Sequence, residues 1–220
     1  MSASFLDLSG PSLPPAAGGK ADSLVILLHG LGADGNDLIG LAPYWQPVLP
    51  RTAFVSPNAP FPCDMAPYGY QWFSFQDRDP ARILAGVQAA ATILDAFIDQ
   101  ALARSGLDEG RLALVGFSQG TMMSLHVAPR RPRAVAGVVG FSGALVGAEL
   151  LAEAAISKPP ILLIHGDADQ IVPFERLAEA ERGLTAAGIP VETLRRPGLP
   201  HSIDEGGLTA GAEFLKRVLG

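Results

Sequence analysis

Short apolar runs alternate with longer amphipathic segments along most of the chain. The run from Leu24 to Leu28 is apolar at every position and leads into His29 and Gly30, which is typical of a strand buried on both faces in a parallel sheet. Similar short runs recur further along the chain. Together they predict strands over residues 24–28, 52–56, 111–117, 134–141, 161–164 and 190–195.

The longer segments have the apolar spacing of helices. Between Pro80 and Arg104, apolar residues recur three and four positions apart, and Asp79 is placed to cap the first turn. Further helices are expected over residues 119–130, 174–187 and 203–219. Strands that alternate with helices predict an α/β fold, in which a mostly parallel central sheet has helices on both faces.

Composition and charge narrow the function classes. The chain has 220 residues, 48% of them apolar and 17% charged, which suits one globular domain. The formal charge is −6, and no run of Lys and Arg exists that would bind nucleic acid or an anionic membrane surface. No unbroken apolar stretch reaches about 18 residues, so stable membrane insertion is not expected.

The N-terminal segment and the single cysteine bear on domain organisation, location and disulfide formation. Residues 1–20 are rich in Ser, Gly and Pro and are expected to form a flexible extension before a single domain over residues 21–220. This segment lacks the basic start of a signal peptide, and a cytoplasmic location is therefore expected. Cys63 is the only cysteine, so no internal disulfide can form, and its Pro-rich surroundings favour a bystander thiol.

A nucleophile motif follows the third predicted strand. The segment from Gly116 to Gly120 reads G-x-S-x-G and stands between a predicted strand and a predicted helix, which is the context this motif requires. A sharp turn there exposes the central hydroxyl, and glycines are needed because larger side chains would collide with the turn. Isolated matches are common in a glycine-rich chain, but the flanking elements remove most of them. We predict Ser118 as the nucleophile.

Two backbone amides are candidates for an oxyanion hole. The first strong strand ends in the turn from His29 to Gly32, where glycines allow close approach to a substrate oxygen. The amide of Leu31 in this turn and the amide of Gln119 after the nucleophile form the predicted pair. An ordinary strand-to-helix turn is the alternative, which the presence of Ser118 makes less favoured.

In this fold the acid of the triad follows the nucleophile along the chain, and the histidine that acts as general base follows the acid. His126 lies inside the nucleophile helix and His165 ends a strand, whereas His201 lies in a loop that can present an imidazole. We therefore predict His201 as the base. Asp167 and Asp169 both follow the strand before it, and on position alone either could orient the imidazole.

The combined motifs resemble the phospholipase/carboxylesterase family of the α/β-hydrolase fold, which includes acyl-protein thioesterases and small bacterial carboxylesterases. The resemblance runs from about residue 23 to the C-terminus. It implies a triad of Ser118, Asp169 and His201, with oxyanion amides from Leu31 and Gln119. It implies an α/β-hydrolase fold without a large cap domain, and no cofactor. Residues implied beside the substrate are Gly32, Trp72 and Phe73.

The resemblance also implies the substrates and partners. Short- to medium-chain carboxylic esters are expected, with lyso-lipids and acyl thioesters as further candidates, and a homodimer is left open. Family members often carry an acidic residue after the Trp-Phe pair, where this chain has Ser74, which affects substrate preference. A non-catalytic binding protein of the same fold and another serine acyl hydrolase or acyltransferase are the alternatives. No metal-ligand pattern such as His-Glu-x-x-His is present.

Overall fold

A seven-stranded sheet forms the centre of the protein in the computed structural model, which describes residues 8–220. The strands lie in the order β1-β3-β2-β6-β7-β8-β9, and all neighbours are parallel except β1, which pairs antiparallel with β3. A separate two-stranded hairpin consists of β4 and β5. The strands are β1 Ser12–Leu13, β2 Ser23–Leu28, β3 Thr52–Val55, β4 Phe61–Pro62, β5 Tyr70–Gln71, β6 Leu112–Phe117, β7 Gly137–Phe141, β8 Ile161–Gly166 and β9 Val191–Arg196.

Within residues 8–220, seven α-helices cover the two faces of this sheet. Side chains of α3, α4, α5 and α6 pack in one apolar cluster, and side chains of α1, α2 and α7 pack in the other. The predicted α/β-hydrolase fold is therefore confirmed. The helices are α1 Gly35–Ile39, α2 Ala42–Trp45, α3 Pro80–Ser105, α4 Gln119–Val127, α5 Ala148–Ala154, α6 Glu175–Ala186 and α7 Glu205–Leu219.

The strand β2 shows why residues 24–28 are apolar at every position. Successive strand residues point to opposite faces. Leu24, Ile26 and Leu28 pack in the cluster under α3 and α4, while Val25 and Leu27 pack in the cluster under α1, α2 and α7. Because both faces of the strand are covered, the side chains of residues 24–28 are all shielded from water.

The helix α3 is 26 residues long and has a window of mean hydropathy 1.5, which by length and composition would be enough to cross a membrane. One such helix is weak evidence for a span, because core helices of globular proteins have the same property. Here Val87, Leu94 and Ile98 are fully buried in the core, and α3 packs against α4.

The segment predicted as an N-terminal extension, residues 1–20, is described from residue 8 onward. Its residues 1–7 lie outside the described residues. Ser12 and Leu13 pair with Val55 and Phe54 as the edge strand β1, and the amide of Ala17 donates to the carbonyl of Pro50 at 2.8 Å.

Candidate active site

The turn between β6 and α4 holds Ser118 in a strained backbone conformation. Its φ of 54° and ψ of −115° are sparsely populated by residues with a Cβ. A Cβ on Gly116 would lie 2.3 Å from the carbonyl carbon of Gly120, and one on Gly120 would lie 1.8 Å from the carbonyl oxygen of Leu28. Neither contact is tolerable, so both glycines of the motif are set by backbone contacts.

The end of β7 supports this turn from the side. The amide of Ser118 donates to the carbonyl of Phe141 at 2.9 Å. The hydroxyl of Thr121 lies 2.8 Å from the carbonyls of Phe141 and Gly116 and can donate to either. Ser142, which follows Phe141, also has a positive φ, of 48°, and its amide donates to the carbonyl of Ile164 at 2.9 Å. The strained elbow is thus held by its neighbouring strand.

Asp169 and His201 are joined by a short hydrogen bond. Asp169 lies after β8 and His201 lies in the loop between β9 and α7. The imidazole Nδ1 is 2.7 Å from Asp169 Oδ2, and since an ionised carboxylate only accepts, the Nδ1–H donates. The amides of Ile171 and Val172 both donate to Asp169 Oδ1 at 2.9 Å.

The charge of Asp169 is stabilised by these donors. Its side chain is completely buried, and burial alone would raise its pKa. The hydrogen bonds from His201, Val172 and Ile171 outweigh burial and hold the pKa below the ordinary value. An ionised carboxylate therefore faces the imidazole, as a residue that must stabilise an imidazolium requires.

Asp167, the competing acid, points to a different set of partners. Its Oδ1 accepts from the amide of Gly198 at 2.6 Å, and its Oδ2 accepts from the Arg195 guanidinium at 2.6 and 2.7 Å. Those interactions hold the loop that leads to His201, but no hydrogen bond joins Asp167 to an imidazole among residues 8–220. The hydrogen bond from Gly198 and the Arg195 cation lower the pKa of Asp167.

His165 touches the same carboxylate from the opposite side. Its Nε2 is 2.9 Å from the carbonyl of Val172, which can only accept, so this nitrogen carries the proton. The same nitrogen is 3.3 Å from Asp169 Oδ2. The residue is buried against the edge of the Phe174 ring and, unlike His201, does not line the cavity that contains Ser118.

The two predicted oxyanion amides have no acceptor within the part of the chain that the structure describes. Leu31 follows β2 and Gln119 is the first residue of α4, so the second amide stands at the positive end of a helix. A Cβ on Gly30 would lie 3.3 Å from the Ser118 Cβ, which shows how close the turn after β2 comes to the elbow. Both amides are therefore adjacent to the serine and free to donate.

An apolar cavity of about 1230 Å³ opens beside Ser118, and Leu31 and His201 line it as well. Phe117 packs against the His201 ring with centroids 4.8 Å apart, which keeps the imidazole next to the elbow. The apolar part of the wall comes from several separate segments of the chain. Its side chains include those of Phe75, Ile83, Leu84, Met122, Leu145 and Val172.

Gly32, Trp72 and Phe73, which are predicted to lie beside the substrate, are not among the residues that line this cavity. Trp72 and Phe73 are 0% and 2% exposed and are packed inside the core, because their backbone is bound by the Gln119 side chain. Phe75, two residues further on, reaches the cavity instead. Gly32 has a φ of 80° and donates to the carbonyl of Tyr70, while its neighbours Leu31 and Ala33 form the wall.

Two other sequence candidates lie away from the reacting groups. His126 is buried within α4, where burial, with a further contribution from Arg130, lowers its pKa to about 4. Cys63 is partly exposed, and its sulfur lies 3.9 Å from where a Cβ on Gly32 would be. Among residues 8–220, no group of three or more His, Cys, Asp and Glu side chains is arranged to hold a metal ion.

Known proteins of similar sequence and structure include esterases and an acyl-protein thioesterase. The family profile described as phospholipase/carboxylesterase matches residues 15–219. Esterase YpfH of Escherichia coli is 29% identical, covering 90% of this chain and 84% of that protein. Acyl-protein thioesterase 1 of Schizosaccharomyces pombe is 32% identical, covering 89% of this chain and 91% of that protein.

Among solved structures, the crystal structure of esterase PE8 superposes with a TM-score of 0.92 at 42% sequence identity. The match covers 97% of this chain and 100% of that one. The fold, the cavity and the arrangement of serine, histidine and carboxylate therefore occur in a chain whose relatives include esterases and an acyl-protein thioesterase.

Proposed function

Because this chain belongs to the phospholipase/carboxylesterase family and is an ester hydrolase, we propose that it is a serine carboxylesterase with a triad of Ser118, His201 and Asp169. The observation that carries the proposal is the 2.7 Å hydrogen bond between Asp169 and a histidine that shares one cavity with the strained serine. Asp167 is committed to Arg195 and Gly198, which leaves Asp169 as the acid.

The proposed reaction proceeds through an acyl-enzyme. The Ser118 hydroxyl attacks the ester carbonyl carbon while His201 Nε2 takes its proton, and Asp169 stabilises the resulting imidazolium. The carbonyl oxygen becomes an oxyanion that accepts hydrogen bonds from the amides of Leu31 and Gln119. His201 then protonates the leaving alcohol, and in the second half it deprotonates the water that releases the acid.

The cavity supports short- to medium-chain acyl esters as substrates, with lyso-lipids and acyl thioesters as alternatives. A volume of about 1230 Å³ exceeds what an acetyl group fills, and its wall is largely apolar. Each buried methylene contributes about 0.8 kcal/mol, which corresponds to about fourfold in kcat/KM. We propose further that residues 21–220 act as a single hydrolase domain, with residues 1–20 as an extension of it.

Two measurements test this function. A fluorophosphonate probe should label the native protein at Ser118 alone, as located by peptide mass spectrometry, and a probe bound elsewhere would refute the nucleophile. A series of p-nitrophenyl esters and acyl thioesters of rising chain length should show kcat/KM climbing from acetyl until the cavity is filled. A strict preference for acetyl or for charged acyl groups would contradict the assigned substrate class.

A further inference from the structure

We propose that Trp72 and the Gln119 side chain form a brace that fixes the two oxyanion amides relative to each other. The inference rests on the proposed function, in which Leu31 and Gln119 supply those amides. Trp72 and Gln119 are then positioning residues, and neither the indole nor the carboxamide touches the substrate. Both side chains are completely buried.

The sheet alone does not fix the distance between the two amides. The strands β2 and β6 are parallel neighbours, and their last paired residues are Leu28 and Gly116. Leu31 and Gln119 both lie beyond that point, on separate turns. A developing oxyanion needs donors at about 2.7–3.1 Å, so a shift of a few tenths of an ångström in either turn weakens its stabilisation.

The first half of the brace is the carboxamide of Gln119. Its Oε1 accepts from the amide of Trp72 at 3.0 Å, and its Nε2 donates to the carbonyl of Phe73 at 2.7 Å. One donor and one acceptor are thus used on adjacent residues, and only a carboxamide supplies both in this geometry. The residue that provides one oxyanion amide through its backbone therefore holds residues 72 and 73 through its side chain.

The second half of the brace runs from the Trp72 indole to the turn after β2. The Nε1–H donates to the carbonyl of His29 at 3.0 Å and so holds the peptide group between His29 and Gly30. The Trp72 and His29 rings also pack against each other, with their centroids 5.9 Å apart. The path from one oxyanion turn to the other consists of two side chains and no flexible loop.

The imidazole of His29 completes the connection to Leu31. Its Nε2 accepts from the amide of Ala59 at 2.9 Å, so the ring proton is on Nδ1, which donates to the carbonyl of Gly30 at 2.7 Å. Burial lowers the pKa of His29 and keeps it neutral. The Gly30 carbonyl and the Leu31 N–H belong to one planar peptide group, so this bond sets the direction of the oxyanion donor.

The brace should affect the transition state and leave ground-state binding unchanged. Trp72 is absent from the cavity wall, so removing its N–H does not change the surface that the acyl chain contacts. A misplaced oxyanion donor lowers kcat, and complete loss of one costs about 10²–10³-fold. We therefore expect a change in kcat with KM preserved, which a role in packing alone would not produce.

The test is Trp72→Phe, which removes the indole N–H and keeps an aromatic ring. The expected result is a fall in kcat of about 10- to 100-fold, with KM unchanged within about twofold. A trifluoromethyl ketone supplies the independent readout. Ser118 Oγ adds to the carbonyl carbon of the ketone, the serine proton passes to His201, and the carbonyl oxygen becomes an oxyanion. The affinity of the Trp72→Phe variant for the ketone should therefore weaken by the same factor as kcat.

Trp45→Phe is the matched control. Trp45 is also fully buried, and its indole donates to the carbonyl of Leu208 at 3.0 Å on the opposite face of the sheet. This variant loses an equivalent hydrogen bond far from the oxyanion turns and should keep wild-type kcat and ketone affinity. Equal effects of both variants, or no effect of Trp72→Phe below its melting temperature, would overturn the brace.

Gln119→Glu tests the other half and serves if Trp72→Phe does not fold. A carboxylate still accepts from the Trp72 amide but cannot donate to Phe73, while the backbone amide of residue 119 is retained. The same loss in kcat and ketone affinity is expected, and wild-type values would refute the brace. Failure of the wild-type protein to bind the ketone would instead refute the proposed function, so the two failures are distinguishable.

Discussion

The elbow around Ser118 and the two loops that carry Asp169 and His201 meet at one cavity, but different interactions hold them. At the elbow, glycine positions are imposed by backbone atoms less than 2.5 Å from any added Cβ, and every residue of α4 is buried. The loops also have backbone contacts, such as the Ala168 amide on the Leu199 carbonyl at 3.1 Å, but the Asp169 carboxylate and the His201 imidazole are themselves placed by side-chain hydrogen bonds, with an ion pair nearby. Positions imposed by the backbone leave a readable sequence motif, whereas positions imposed by side chains do not.

The same difference predicts how substitutions at the elbow and in the two loops affect activity. Changes at Gly116, Ser118 or Gly120 should either prevent folding or remove the chemistry, since the two glycines have no room for a Cβ and the serine carries the reacting hydroxyl. Changes in the loops should give graded losses, because several donors share the Asp169 carboxylate and several contacts share the loop before His201. Variants of matched size on the two sides measure this contrast directly.

The largest effect is expected for Ser118→Ala. Removing the nucleophile should lower ester turnover by about 10⁶-fold, as found when such a serine is deleted in a well-studied protease. The fold should remain intact, because the Ser118 backbone amide keeps its bond to Phe141. Steady-state kinetics and circular dichroism on the same purified sample check this, and a folded variant with wild-type turnover would exclude Ser118 as nucleophile.

Asp169→Asn should come next, with turnover lowered by about 10⁴-fold, the loss known for the same change in a protease triad. The amide keeps an acceptor for the Ile171 and Val172 amides, but its NH₂ group faces His201 and disfavours the tautomer with a proton on Nδ1. Asp167→Asn is the matched control. If the control loses activity while Asp169→Asn keeps it, the two acids must exchange roles.

Sequence patterns predict the strands of the main sheet but not the short strands. All six strands expected from apolar runs are present, within three residues at each end. The strand β1 and the hairpin β4–β5 were not predicted, because two-residue strands such as Ser12–Leu13 exist only through their pairing partners. The predicted helix 119–130 ends at Val127 and continues as a 3₁₀ turn that contains Pro129.

Sequence patterns do not predict which aromatic side chains near residue 73 line the cavity. Trp72 and Phe73 lie in an irregular segment, where neither helical nor strand periodicity says which side chain points outward. The direction is set by the Gln119 side chain, which binds their backbone from a distant point in the chain. Phe75 lines the cavity, and no local pattern distinguishes it from its neighbours.

Acid should destabilise the elbow side at a higher pH than the loop side. The pKa of His126 is about 4 in the folded protein and about 6.5 when unfolded, so below pH 6.5 the unfolded chain binds the extra proton. Stability is therefore lost as the pH falls from 6.5 to 4. At 1.36 kcal/mol per unit, the loss is at most about 3 kcal/mol. Asp167 and Asp169 have pKa values lowered from 3.8, so their contribution is lost only below that pH.

The variant His126→Leu isolates this contribution. His126 Nδ1 has no hydrogen-bond partner among the described residues, so leucine leaves no partner of that atom unpaired. Between pH 6.5 and 4.5, the melting temperature of the variant should fall less steeply than that of the wild type. Parallel curves over this interval would show that a different group causes the acid loss on this side.

The smallest effect is expected for Asp167→Asn, which acts on the loop side alone. The asparagine carbonyl still accepts from the Gly198 amide, but its NH₂ group faces the Arg195 guanidinium and the ion pair is lost. An exposed ion pair contributes little, so we expect the melting temperature to fall by about 2–4 °C with kcat within about threefold of wild type. Thermal scans at low and high salt provide the check, because screening should shrink the difference between the two proteins. A salt-independent difference would mean that the substitution acts through the hydrogen bonds of residue 167 and not through the charge of Asp167.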